Sequence, residues 1–318
     1  MAQAGTDKHI HLGIAFDSNY LSPFYALAAS ILDNNRNTPL TIHAIVTGLE
    51  QPVLDQIRTY IRKEGKDILF YSIDEQMVSR FTLINKWTQA VYYRLLFPVI
   101  VPATVDRLLY IDTDTLVLND LSALYNARLH NHPVGAVYDN YVVNHPEIGI
   151  EGTGNYFNSG VLLMDIGKWK EQQITEKAFD YLDRYPERIK FVDQDALNAV
   201  LKDNWEKLPF AYNVLYSYIP QTLSMKGLDN FIKDKVILHF TLQRPWSCIS
   251  TNRFRKLYHH YLKKSPAPER RKYTDWSPDK IIPALRVRML EMYFDLPLLQ
   301  KAWRRFQPSK NIEHPLNV

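Results

Sequence analysis

An α/β fold, with a mostly parallel sheet flanked by helices, is the architecture this sequence predicts, and three observations predict it. Apolar runs of strand length alternate with helix-periodic segments over the first two-thirds of the chain. Proline, serine and other turn signals fall between them. Polar and acidic residues cluster directly after the apolar runs, where open parallel sheets gather their ligands.

The elements follow in order. HLGIAF (11–16) reads as a buried strand, and Ser22-Pro23 as an N-cap and first helical residue opening YALAASILDN. LTIHAIV (40–46) is a second strand, the spacing of Val53, Ile57, Tyr60 and Ile61 predicts a helix, and ILFYSI (68–73) is a third strand. A helix around 88–97 leads to the strands RLLYI (107–111) and VGAVY (134–138). GVLLMDI (160–166) adds another strand, with a long polar helix expected from Lys168. This βαβα rhythm implies right-handed crossovers. The Pro- and charge-rich run 265–280 reads as a linker between an α/β domain over 1–264 and a helical basic tail over 265–318.

Composition narrows the class. The 318 residues are 46% apolar and 23% charged, the balance of a globular chain, and by length fill about two domains. One cysteine, Cys248, rules out an internal disulfide framework and a thiolate zinc site. MAQAGTDKHIHLGIAF has no charged n-region leading into an apolar stretch, and the most apolar window, 95–105, is short and broken by proline. A cytoplasmic protein is expected. The net charge of +4 conceals an asymmetry: residues 253–310 carry fifteen Lys/Arg against five Asp/Glu, so the remainder sums to −6. No nucleic-acid partner is expected, because the basic residues lack an interleaved aromatic platform or a groove-reading motif.

Three places after the apolar runs can carry chemistry. Asp17-Ser18-Asn19-Tyr20 offers a carboxylate, an amide and a ring at a strand-to-helix turn, which suits a base and ribose and equally suits an ordinary polar turn. In RLLYIDTDTLVL, alternation puts Asp112 and Asp114 on one side of an extended backbone, where they can share a divalent cation; a solvated hairpin turn is the alternative. Burying two unpaired carboxylates between LLYI and LVL would be costly, so a metal or cationic partner is implied. In the third, Asn158 and Ser159 precede a strand and Asp193-Gln194-Asp195 opens a helix, where one Asp is expected as a cap and Gln194 is left to face a ligand. Asp139 follows VGAVY, and His239 ends an apolar run, a place where a histidine is commonly a core residue.

Together these residues resemble glycosyltransferase family 8, retaining and metal-dependent enzymes of the GT-A type that include bacterial lipopolysaccharide galactosyl- and glucosyltransferases and the glycogenins. The resemblance covers about residues 10–265 and rests on AFDSNY, YYRLLFP, LLYIDTDTLVL, GAVYD, NYFNSGVLLMDIGKW, DQDALN and LHFTLQRPW, in the family's order. It implies that Asp17, Asn19 and Tyr20 contact uracil and ribose, with Thr113 beside them, and that Arg94 reaches the donor sugar or diphosphate. Asp112, Asp114 and His239 would hold Mn2+, or Mg2+ in its place. Asp139, Asn158, Asp193 and Gln194 would surround the transferred hexose. The implied reaction moves galactose or glucose from a UDP-sugar to a glycan or lipid-linked oligosaccharide, as in lipopolysaccharide or cell-surface polysaccharide synthesis. The glutamine matching Gln194 is a poor nucleophile, which favours a front-face path. One departure stands out. The family's common form after the histidine is a glycine, two variable residues and Lys-Pro-Trp, whereas Thr241-Leu242-Gln243-Arg244-Pro245-Trp246 is shorter and lacks the glycine. Arg244 is expected to replace the lysine as a diphosphate clamp.

Leu285, Met289, Met292, Leu296, Leu299 and Trp303 fall on one helical stripe among Arg286, Arg288, Lys301, Arg304 and Arg305, with Pro297 interrupting it. That pattern suits a peripheral membrane tether or a helix packed on the catalytic domain. Two other functions stay open at this point, a UDP-sugar-binding protein or hydrolase with weak transfer and a glycogenin-like self-glucosylating enzyme, although none of the twenty tyrosines is marked out as an acceptor.

Overall fold

Strand β1 (Ile10–Asp17) is central because its residues are apolar on both faces, which only an interior strand tolerates. The computed structural model describes residues 9–74, 76–79, 81, 88–220, 222–268 and 273–296. Beside β1 lie β2 (Leu40–Thr47), β3 (Asp67–Tyr71) and β4 (Arg107–Ile111). After them come the short β5 (Thr115–Val117), then β6 (Val134–Tyr138), β7 (Phe157–Asp165), β8 (Glu206–Lys207) and β9 (Ile237–His239). The main sheet has seven strands in the order β3-β2-β1-β4-β7-β6-β8, and only β7 runs against its neighbours. The mostly parallel, mixed sheet expected from the sequence is therefore present. A two-stranded sheet pairs β5 with β9.

Helices cover both faces. In chain order they are α1 (Leu21–Asn34), α2 (Gln51–Lys63), α3 (Gln76–Ser79), α4 (Phe97–Ile100), α5 (Ser122–Tyr125) and α6 (Ile166–Glu171). The chain continues with α7 (Ile174–Arg184), α8 (Val192–Val200), α9 (Met225–Ile232), α10 (Arg255–Lys264) and α11 (Ile281–Asp295). Alternation along β1 and β4 feeds two cores. Leu12, Ile14, Phe16, Leu109 and Ile111 pack with α1, α2 and α10. Ala15, Leu108 and Tyr110 pack on the other face with Tyr92, Tyr93 and Trp169.

Local chemistry moves several expected boundaries. Helix α1 starts at Leu21, so Ser22 and Pro23 lie inside its first turn rather than at the cap. Asp17 caps the preceding 3-10 turn instead, its Oδ1 accepting from the Asn19 N–H at 2.8 Å, and Pro23 fits a first turn because its missing N–H would go unpaired there. The helix expected around 88–97 is a 3-10 segment (Gln89–Leu95) followed by α4, since Pro98 cannot donate to a continuous α-helix. The long polar helix expected from Lys168 breaks at Gln173 (φ +54°) into α6 and α7, which lets Trp169 Nε1 donate to Thr175 Oγ1 at 2.9 Å.

The described part of 265–280 is fastened to the body. Asp275 accepts from Ser247 Oγ (2.7 Å), the Cys248 N–H (2.8 Å) and Lys280 Nζ (3.0 Å). Helix α11 is held by its acidic residues: Asp295 pairs with the buried Arg253 at 2.8 Å and Glu291 with the buried Arg255. Leu285, Met289 and Met292 face outward, 57–69% exposed. Leu299, Trp303, Pro297, Lys301, Arg304 and Arg305 lie outside the described residues. No helix among the described residues is long and apolar enough to cross a membrane.

Candidate active site

The chain runs outward through β1, β2 and β3 and returns to β4 on the other side of β1, which opens a crevice at the strand ends. Asp17 ends β1, Asp112 follows β4 and Asp139 follows β6 on that edge. Because β7 is antiparallel to β4 and β6, its first residues, Asn158, Ser159 and Gly160, arrive at the same edge. The one reversed strand thus adds three residues to the site.

Strand pairing assembles a carboxylate–imidazole cluster. Thr115 lies opposite His239 in the β5–β9 ladder, and the Phe240 N–H donates to the Asp114 carbonyl at 2.9 Å. His239 Nε2 then sits 3.1 Å from Asp114 Oδ1 and 3.8 Å from Asp112 Oδ2. One ligand atom from each of the three lies within 4.8 Å of the others. Burial works against charge on Asp114 and His239, yet each answers the other, so the carboxyl is held below its ordinary range and the imidazole above. Gly160 supplies the room. A Cβ there would overlap Cε1 of His239 and lie 2.7 Å from Asp112 Oδ2. These residues fit a divalent cation: two carboxylates and an imidazole converge on one point, and the strand beneath has no side chain to fill it.

Arg94, expected at the donor, is buried between carboxylates. Its Nη2 lies 3.0 Å from Asp112 Oδ1 and its Nε 2.9 Å from Asp193 Oδ2, while Nη1 donates to the Ser159 carbonyl at 2.6 Å. It therefore ties Asp112, in the carboxylate–imidazole cluster, to Asp193 at the start of α8. Burial pushes the Asp193 carboxyl up to about 7, against the pull of Arg94 and with the push of Asp112. Asp193 is not a helix cap.

Asn158 Nδ2 donates to Asp139 Oδ2 and to Gln194 Oε1, each at 3.1 Å. Gln194 is not free either: its Oε1 accepts from the Ser159 N–H at 3.0 Å and its Nε2 donates to Tyr156 OH at 3.1 Å. Tyr156 donates in turn to Asp195 Oδ1 at 2.6 Å. The other Asp195 oxygen accepts from the Lys190 and Phe191 N–H groups, so Asp195 is the residue that secures the start of α8. Asp139 Oδ1 accepts from the Tyr141 N–H at 3.0 Å. Asp139, Asn158, Asp193 and Gln194 line a cavity of about 390 Å³ with Arg94, Asp112, Asp114 and His239, and Tyr141 and Leu242 stand exposed among its walls.

A smaller cavity of about 120 Å³ adjoins it, lined by Asp17, Tyr20, Arg94, Asp112, Thr113, Asp114 and Arg244. Thr113 Oγ1 donates to the Ala15 carbonyl at 3.3 Å, which fixes the aspartate turn on β1. Burial, with Asp114 nearby, holds the Tyr20 phenol well above its usual range. The Arg244 guanidinium lies over the Tyr20 ring at 5.6 Å, and Trp246 meets that ring edge-on at 5.9 Å. Leu242 takes φ +62°, the left-handed conformation glycine favours, so the loop keeps that turn without a glycine. Asn19 is exposed and lines a separate cavity with Trp246 and Tyr258.

The structure also adds residues that the sequence did not single out: Gly160 as the floor, Tyr156 as a holder of Gln194, and Asn213 behind His239. Asn213 carries no local signal. A backbone bridge between Val214 and Leu238 brings it there.

Comparison with known proteins follows the same lines. The chain is 30% identical over 286 residues to general stress protein A of Bacillus subtilis, covering 85% of this chain and 96% of that one. It is 28% identical over 275 residues to the lipopolysaccharide 1,2-glucosyltransferase of Escherichia coli K12, covering 84% and 81%. The crystal structure of galactosyltransferase LgtC, solved with donor and acceptor sugar analogues, superposes with a TM-score of 0.70 at 21% identity over 86% of this chain and all of that one, which shows the GT-A fold. Residues 11–250, from the first strand through the loop that carries Arg244, match the model of glycosyl transferase family 8, and the chain is a member of that family and a glycosyltransferase.

Proposed function

We propose that the chain transfers galactose or glucose from a UDP-sugar, with retention at the anomeric carbon, to a glycan or lipid-linked oligosaccharide acceptor. A place in lipopolysaccharide or cell-surface polysaccharide synthesis is supported by the relative named as a lipopolysaccharide 1,2-glucosyltransferase. The observation that carries the reading is the adjacency of two cavities: one has Asp17 and Tyr20 for a nucleotide, the other Asp139, Asn158, Asp193 and Gln194 for a hexose, and Asp112 and Asp114 line both.

Asp112, Asp114 and His239 would hold the cation, Mn2+ or Mg2+. When bound, it neutralises charge on the diphosphate leaving group. Tyr20 and Asp17 hold the base and ribose, and Arg244 adds a planar cation for phosphate. Asn158 and Gln194 orient the sugar hydroxyls. Asp195 is engaged through both oxygens, one by the Tyr156 hydroxyl and the other by the Lys190 and Phe191 N–H groups, Asp139 is held by Tyr141, Asn158 and Gln194, and Asp193 is paired with Arg94. None of these carboxylates is left as a ready nucleophile, which supports a front-face path. The acceptor oxygen bonds to the anomeric carbon as the bond to UDP breaks, and the acceptor proton passes to a phosphate oxygen of UDP. A glycosyl adduct trapped on Asp195 or Asp139 would overturn that path.

The exposed Leu285, Met289 and Met292 of α11 and the basic tail serve as a peripheral tether to anionic lipid on the inner face of the membrane, residues 265–318 being the tail and 1–264 the catalytic domain. Liposome co-sedimentation unaffected by deletion of 281–318 would remove the tether.

The decisive experiment is UDP release from UDP-glucose, UDP-galactose and UDP-N-acetylglucosamine, each with Mn2+ and with chelator, in the presence and absence of an oligosaccharide acceptor. Turnover of one donor that stops with chelator is expected. Release that does not depend on any acceptor would favour a hydrolase instead.

A further inference from the structure

His239 presents two ring nitrogens, and only one of them faces the two aspartates. What decides which nitrogen carries the proton lies behind the ring. Asn213, fully buried, places Oδ1 3.0 Å from His239 Nδ1 and donates from Nδ2 to Asn158 Oδ1 at 2.9 Å. An amide can be turned end for end, but here a backbone group settles its direction. The Gly160 N–H donates to Asn158 Oδ1 at 3.0 Å, so that atom is an acceptor. The Asn213 atom facing it must then be the NH2 group, and the Asn213 atom facing His239 must be the carbonyl oxygen, which can only accept. Nδ1 is therefore the protonated nitrogen. The backbone keeps this arrangement in register, since the His239 N–H donates to the Val214 carbonyl at 2.9 Å.

We propose that Asn213 is a positioning residue for the cation site: its carbonyl oxygen holds the Nδ1 proton of His239 and so leaves Nε2 turned toward Asp112 and Asp114 as a ligand. The assignment rests on the cation reading above. It deepens that reading by naming the partner that orients the imidazole, an outer contact of the kind that fixes ring orientation and raises ligand basicity.

The test measures Mn2+ affinity in the presence of UDP by electron paramagnetic resonance of free Mn2+, on full-length protein whose folding is checked by near-ultraviolet circular dichroism. Asn213→Leu keeps the volume and removes the acceptor, and its Mn2+ affinity is expected to fall about 10- to 100-fold. Asn213→Asp keeps an acceptor facing Nδ1 and, with its second oxygen protonated toward Asn158 Oδ1, is expected to bind within about threefold of wild type. A folded Leu variant with wild-type affinity would overturn the proposal. So would a folded Asp variant weakened about tenfold or more against wild type, an outcome that stays readable if Asn213→Leu does not fold. Wild-type protein that binds no Mn2+ would overturn the cation reading and this one together, whereas wild-type binding unchanged in both variants would overturn this one alone.

Discussion

His239 and Gly160 share one place: the imidazole rests where a side chain on Gly160 would stand, and the same Cβ would come within 2.7 Å of Asp112 Oδ2. Two elements far apart in sequence meet there, the start of β7 and the end of β9. The proposed cation site therefore depends on position 160 having no side chain.

Gly160→Ala is accordingly expected to displace the ring, the carboxylate or both by about 1 Å, a shift that costs on the order of 100-fold in a positioned reaction. Metal-dependent UDP release should fall by that factor or more while the chain still folds, because the ends of two side chains can move aside. Titration with Mn2+ beside the turnover assay checks it, and wild-type affinity with wild-type turnover would show that the floor is not needed.

Asp193 makes a pH prediction. An unfolded aspartate titrates near 4, whereas Asp193 is pushed up to about 7. Between those values the native state holds a proton that the unfolded state has released, so this group favours folding most below about pH 4 and loses that contribution as pH rises to about 7. Asp193→Asn cannot titrate and leaves Arg94 balanced by Asp112 alone. Melting curves in chelator should show wild type losing ground to the variant between pH 5 and pH 8. Parallel curves would mean that Asp193 is ionised throughout.

How far the sequence discloses this site depends on whether a residue's neighbours are local. The strands at 10–17 and 40–47 are visible as apolar runs because interior strands need them. Asp112, Asp114 and His239 are visible as polar residues at the ends of such runs, and the structure brings them together. Arg94 and Gln194 are visible too, yet their partners are not. Arg94 is expected to reach a donor, and it lines both cavities while spanning Asp112 and Asp193; Gln194 is expected to face a ligand, and it lines the larger cavity while held by Ser159 and Tyr156. Asn213 gives no sign at all, since only a parallel bridge from Val214 to Leu238 sets it behind His239.

Arg244 sits over the Tyr20 ring at 5.6 Å and lines both cavities. Arg244→Ala removes a cation from the proposed diphosphate path and a lid from Tyr20, so the donor KM should rise at least about tenfold, ~1.4 kcal/mol. Arg244→Lys keeps the charge and loses the planar fork, and should fall between the two. An unchanged donor KM in the alanine variant would take Arg244 out of the site.

Leu242 gives the clearest backbone prediction. At ordinary positions alanine is more stable than glycine by about 0.5–1 kcal/mol, because glycine leaves more freedom to lose on folding. At φ +62° the order should reverse, since a Cβ in the left-handed region costs roughly 1–2 kcal/mol. Leu242 is 57% exposed, so trimming its side chain sacrifices little packing. Leu242→Gly is therefore expected to be more stable than Leu242→Ala by about 1 kcal/mol in denaturant unfolding, with both near wild type. An alanine variant more stable than the glycine variant would mean that the loop relaxes out of the left-handed turn, and the approach of Arg244 to Tyr20 would then have to be held by Gln243, whose Oε1 accepts from the Thr251 N–H at 3.0 Å.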